Sequence, residues 1–133
     1  MIRFTLKNKS GKARTGTLEL KHGIVNTPAF MTVGTYGSVK SLTNNDLLDC
    51  EAQIILCNAY HLMLRPEHDI ILKAGGLHRF MNWSKPILTD SGGYQVFSLS
   101  KQAKVLRSGV EFKSPLNGNK MFMSPEKSIE TQI

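Results

Sequence analysis

The residues best placed for chemistry are Asp90, Ser91, Gly92, Gly93 and Tyr94, which follow the apolar run Pro86-Ile87-Leu88-Thr89 directly. An apolar strand that stops at a carboxylate sets an acid, base or nucleophile at a strand end, where catalytic groups of parallel α/β architectures gather. Gly92 and Gly93 permit a tight turn and close approach of backbone to a ligand. Tyr94 offers a face to a planar ring. Two other strand ends carry comparable groups. Gln53-Ile54-Ile55-Leu56-Cys57 runs into Asn58, and Phe30-Met31-Thr32-Val33 runs into Gly34-Thr35. The Asn58 amide both donates and accepts. Each residue taken singly also has a plain reading: Asp90 as the cap of its own turn, Asn58 as a turn former, Tyr94 as core filler.

These groups meet only if their strands lie side by side. Strands at 30–33, 53–57 and 86–89, separated by helices at 44–50 and 66–74, predict an α/β fold with a parallel sheet. All three strand-end loops then share one edge. Thr43 serves as N-cap of the first helix with Asp46 in its first turn. Pro66 opens the second helix and Gly75-Gly76 ends it. Ahead of this, residues 2–6, 15–20 and 24–28 read as antiparallel strands, with Lys21-His22-Gly23 turning between the last two. Beyond it, 105–106, 110–112 and 120–123 read as strands, the last two joined through Pro115-Leu116-Asn117-Gly118. Ser124-Pro125-Glu126 starts a closing helix that sets Ile129 and Ile133 on one face. Residues 1–133 read as a single unit: an antiparallel extension over 1–29, then β/α elements with a hairpin insertion over 30–133.

Seventeen Lys and Arg against ten Asp and Glu give a net charge of +7. That balance is compatible with a polyanion partner, and equally with a solvated basic surface. The cations are dispersed, with Lys7, Lys9, Lys12 and Arg14 early and Lys101, Lys104, Arg107, Lys113 and Lys120 late. A chain that is 41% hydrophobic and 20% charged is globular in composition rather than disordered. No apolar run reaches the roughly 18 residues of a membrane span, and the first residues lack a signal-peptide core, so no membrane partner and a cytoplasmic location are expected. Cys50 and Cys57 are too few for a disulfide scaffold and lack metal-ligand spacing; both are expected as buried thiols.

Longer segments carry a family resemblance. They are Asn58-Ala59-Tyr60-His61-Leu62-Met63-Leu64-Arg65-Pro66, then Gly75-Gly76-Leu77-His78 with Met81, Asn82 and Trp83, then residues 86–99. Phe112-Lys113-Ser114, Ser124-Pro125-Glu126 and Ile129 complete the set. Over essentially the whole chain these segments closely resemble the tRNA-guanine transglycosylases, or queuine tRNA-ribosyltransferases. The resemblance implies an irregular (β/α)8 TIM barrel behind a small antiparallel β extension, incomplete in this chain. It implies a pentosyltransferase of queuosine biosynthesis that replaces the wobble guanine of certain tRNAs with a 7-deazaguanine such as preQ1 or queuine. In that family an aspartate attacks the ribose C1′, guanine leaves, and the incoming base resolves the covalent intermediate.

Carried onto this sequence, Asp90 takes the place of the general acid/base that also contacts the base. Ser91 takes a base-pocket hydrogen-bonding position and Tyr94 that of the stacking aromatic. Asn58 stands beside the acid/base aspartate, Gly92 and Gly93 let the backbone approach the base, and Val33 and Leu56 lie near the ribose. His61 and His78 are expected in structural roles. The family's nucleophilic aspartate and its cysteine–histidine zinc motif have no match in these 133 residues, so no metal is expected in this chain; zinc belongs to the full-length family. The expectation is an N-terminal part with about three of the eight barrel units, inactive alone. A homodimer or a complementing C-terminal polypeptide would then be its partner. A non-catalytic tRNA- or nucleobase-binding accessory module, or a decayed remnant, is the alternative.

Overall fold

A computed structural model describes residues 2–99 and 103–132; Lys101 and Ile133, both singled out above, lie outside the described residues. β1 (Arg3–Ser10), β2 (Ala13–Leu20) and β3 (Gly23–Thr27) form an antiparallel sheet in sequence order. β1 outruns the predicted 2–6 because a bulge between Leu6 and Asn8 carries its pairing on to Ser10 opposite Ala13.

β4 (Thr32–Val33), α1 (Asn44–Asp49), β5 (Ile55–Asn58), α2 (Ala59–Leu64), α3 (His68–Lys73), α4 (Leu77–Met81), β6 (Ile87–Asp90) and α5 (Gly93–Leu99) follow. β4, β5 and β6 lie side by side in that order, all parallel, with Val33 opposite Leu56 and Asn58 opposite Asp90. The expected α/β arrangement and its shared strand-end edge are therefore present. α1 begins where its sequence dictates: Thr43 Oγ1 accepts from the Asp46 N–H, and the Asp46 carboxylate accepts from the Thr43 N–H at 2.7 Å. That reciprocal pair satisfies two backbone donors that the helix itself leaves orphaned. Behind the sheet, Leu47, Ile55, Cys57, Leu62, Met81 and Trp83 are buried as one cluster.

A second antiparallel sheet of β7 (Lys104–Leu106), β8 (Gly109–Lys113) and β9 (Lys120–Met123) follows. Phe112 and Met123 on its inner face pack with Tyr60, Met63, Leu64 and Val96. α6 (Pro125–Gln132) opens as predicted, Ser124 Oγ accepting from the Lys127 N–H at 3.1 Å. Ser128 Oγ on α6 donates to the Ser91 carbonyl at 2.7 Å, which fastens this helix to the turn after β6. No helix among the described residues is long and apolar enough to cross a membrane.

Several expectations need correction. Only Thr32–Val33 of the 30–33 run is paired, and Phe30 is 83% exposed. The 53–57 strand sits at Ile55–Asn58, so Asn58 is its last residue rather than the first of a loop. Pro66 does not open a helix. It follows the end of α2, where it forces Arg65 into extended backbone (φ −163°), and the next helix waits until His68. The stretches at 59–64, 77–81 and 93–99 are helical where no helix was expected.

The two cysteines differ. Cys57 is buried in β5, but Cys50 is exposed at the C-terminal cap of α1, because the buried face of that short helix is used by Leu47. Burial, assisted by the Asp90 charge, pushes the Cys57 thiol up to about 12. The thiolate is the reactive form. A thiol reagent at neutral pH is therefore expected to modify one cysteine quickly, Cys50, and to reach Cys57 only when denaturant is added; peptide mapping checks it.

Candidate active site

The edge formed by the ends of β5 and β6 is organised around one carboxylate. β6 ends at Asp90 because Gly92, with φ +73°, turns the chain sharply into α5. Asp90 Oδ1 accepts from the Ala59 N–H at 3.0 Å and from the Gly92 N–H at 3.1 Å. Its Oδ2 accepts from Asn58 Nδ2 at 2.6 Å and from Gln95 Nε2 at 3.3 Å. A carboxylate offers about four lone-pair positions, and here each has a donor. The ordinary reading of Asp90 as a turn cap is realised in the Gly92 bond, yet that bond accounts for only one of the four.

Each donor comes from a different local cause. Asn58 stands at the N-cap of α2 and makes no side-chain bond to that helix, so its amide is available across the sheet to Asp90. Ala59 supplies the first N–H of α2, one of the donors a helix cannot satisfy internally. Gln95 comes from the first turn of α5. It was not singled out in the sequence, although its position five residues after a strand-end carboxylate and beyond a glycine turn was the available signal.

The other candidate residues surround this centre unequally. Tyr94 is 77% exposed and is not core filler. Ser91 is exposed, and its hydroxyl accepts weakly from the Gly93 N–H at 3.4 Å. Gly92 is buried and Gly93 exposed, one on each side of the turn. Val33 is exposed and Leu56 half-buried, side by side in register on β4 and β5. The edge thus offers a hydrogen-bonded carboxylate, an exposed phenol ring and an uncovered aliphatic strand end.

His61, on α2, extends the same edge. Its ring meets Tyr36, from the loop after β4, and Tyr60, both edge-on at 5.1 Å. Its Nδ1 and the Tyr60 hydroxyl are buried with no hydrogen-bond partner among the described residues. His78 instead stacks on His22, with ring centroids 3.6 Å apart, and its Nε2 lies 3.2 Å from the Lys85 carbonyl. Burial holds both imidazoles below the ordinary value near 6.5; for His61 the Asp90 charge opposes this, and for His78 the neighbouring His22 adds to it. In the unfolded chain both take up a proton near pH 6.5, while the folded chain resists until lower pH. Stability is therefore expected to be complete above pH 6.5 and to fall as the pH drops below it. Urea midpoints between pH 7.5 and 5 measure this, and His78→Asn is expected to flatten the slope.

Comparison with known proteins bears on what such an edge does. Residues 9–133 match the sequence profile of the family described as queuine tRNA-ribosyltransferase. Among curated relatives so named, the chain is 58% identical over 132 residues to proteins from Neisseria meningitidis serogroup C / serotype 2a and from Neisseria gonorrhoeae strain NCCP11945, covering 99% of this chain and 36% of theirs. A relative of the same name from Herminiimonas arsenicoxydans is 56% identical, with 99% of this chain and 35% of the relative covered. The chain spans about a third of the length of the curated relatives it matches.

Proposed function

The chain belongs to the queuine tRNA-ribosyltransferase family, and from that membership we propose that it supplies the acid/base half of a tRNA base-exchange site. The observation that carries the reading is the Asp90 carboxylate, held at the parallel-sheet edge by four donors four residues before the exposed Tyr94 ring. The β4–β5–β6 sheet is the start of an irregular barrel, incomplete in this chain, and the edge is its substrate-facing end.

The substrate is a tRNA carrying guanine at the wobble position, together with a 7-deazaguanine such as preQ1 or queuine. A carboxylate from the two thirds of the relatives' length not spanned here attacks the ribose C1′. The C1′–N9 bond breaks, its electron pair going to guanine, and Asp90, which enters this step protonated, gives its carboxyl proton to the departing base and is left as the carboxylate. The incoming base gives a proton back to Asp90 as its nitrogen bonds C1′ and the nucleophile is released. Gln95, with the longest of the four hydrogen bonds to Asp90, is the donor that an incoming base N–H displaces from Oδ2. Tyr94 stacks on the flat ring, Ser91 hydrogen-bonds its edge, Gly92 and Gly93 leave room for it, and Val33 with Leu56 meets the ribose.

The family's zinc does not fit here. Cys50 is exposed beyond α1 and Cys57 is buried in β5 with its thiol pushed up, which is no donor set. These 133 residues are inactive alone, and their protein partner is a second copy in a homodimer or a complementing C-terminal polypeptide. Titration of guanine or 7-deazaguanine into the isotopically labelled chain tests the base site. Amide shifts are expected at Asn58, Ala59 and Ser91 to Gln95, lost in Tyr94→Ala. Shifts confined to other segments, or none at millimolar base, contradict the reading.

A further inference from the structure

We propose that the outer face of the β7–β8–β9 sheet is a second RNA-contacting surface, holding the phosphates and one base of nucleotides that flank the exchanged one. The proposal rests on the tRNA reading above. Strand alternation fixes the face: Phe112 and Met123 point inward and are buried, so Glu111, Lys113, Lys120 and Phe122 point outward, and all four are exposed. Lys104, also exposed, pairs opposite Glu111.

Three lysines and a single glutamate make this face cationic. The ion pairs among the described residues are His68–Asp69 and Lys127–Glu130, so none of the three lysines is in one. Lys113 also sits directly opposite Lys120 in the β8–β9 register. Like charges facing across strands cost stability, a cost that a bound polyanion removes. Phe122, 44% exposed, lies on the same face, and these residues, together with Phe112 and Met121 of the same strands, line an open cavity of about 230 Å³. Backbone-neutralising lysines around an exposed aromatic are how unpaired RNA is held: phosphates on the cations, a base on the ring.

The location suits nucleotides beside the target. The inner face of the same sheet packs Phe112 against Tyr60 with ring centroids 5.6 Å apart. Met123 reaches the space beside Gly92, its Cε 3.0 Å from where a Cβ there would stand. The β7–β9 sheet itself therefore lies between the lysine-bearing face and the Asp90 turn.

Fluorescence anisotropy of the full 133-residue chain with a labelled anticodon stem-loop RNA, over a salt series, tests the surface. The combined variant Lys104→Gln, Lys113→Gln, Lys120→Gln is expected to flatten the log-affinity against log-salt slope by about 2, three contacts at about 0.7 each. Phe122→Leu is expected to weaken binding about tenfold with the slope kept, as loss of one stacked base does. The control Lys7→Gln, Lys9→Gln, Lys12→Gln on the β1–β2 hairpin is expected to keep the wild-type slope, and circular dichroism verifies folding of every variant. An unchanged slope in the face variant, an equal loss in the hairpin control, or no RNA binding by the wild-type chain overturns the surface. None of these touches the base-site reading, which the guanine titration judges without the lysines.

Discussion

Asp90→Asn is expected to lower base exchange by a factor of about 10² to 10⁴, the range that a lost general acid/base group produces. The measurement is made on the chain joined to the two thirds of the Neisseria meningitidis relative that it does not span, and follows uptake of labelled guanine into tRNA. The substitution also acts on the fold. Oδ1 and Oδ2 of Asp90 each accept two hydrogen bonds, and an asparagine presents one oxygen and one NH2 to the same four donors. Two donors then face an NH2, and an unsatisfied buried donor costs about 1–3 kcal/mol. A lower unfolding midpoint in the variant is therefore expected. Exchange is compared below both midpoints, so that the rate loss reports chemistry and not unfolding.

The second large effect is expected at Gly92, which makes the turn that aims Asp90. Its φ of +73° is a conformation that other residues adopt only with strain. A Cβ there would stand 2.7 Å from the Tyr60 backbone nitrogen and 3.0 Å from both Tyr60 Cβ and Met123 Cε. Met123 is a flexible side chain and yields, but the Tyr60 amide belongs to α2 and does not. Gly92→Ala is thus expected to destabilise the chain by about 3 kcal/mol, the upper part of the usual range for single substitutions. For a domain of this size that lowers the melting temperature by more than about 10 °C. In the joined protein the displaced turn also breaks the Gly92–Asp90 hydrogen bond, and exchange falls with it. Gly93→Ala is the internal control: the space beside Gly93 holds only Ser91 Oγ, at 3.6 Å, and its φ is not in the left-handed region.

What the sequence revealed and what it hid follow from the range of the forces involved. The Asp90 strand end was legible because an apolar run that stops at an acid is a local pattern. The starts of α1 and α6 were legible because Thr43 and Ser124 cap their own helices through neighbours three residues away. α2 was hidden because six residues are under two turns and five of them, from Ala59 to Leu64, are buried, which leaves no amphipathic stripe to read. Gln95 was hidden because its partner lies across a turn whose geometry depends on Gly92. Pro66 misled because proline marks the end of one helix as readily as the start of another. The basic face was hidden because Lys104, Lys113 and Lys120 are far apart in the chain and converge only through the β7–β8–β9 register.

The most direct test of the central claim is labelled-guanine exchange by three proteins: the 133-residue chain alone, the joined protein, and the joined protein carrying Asp90→Asn. The expected result is uptake at the wobble position of tRNA by the joined protein, none by the 133-residue chain alone, and uptake about 10² to 10⁴ times slower by the Asp90→Asn form. A folded joined protein without exchange, or an Asp90→Asn form as active as its parent, would contradict the assignment of Asp90 to proton transfer at the base.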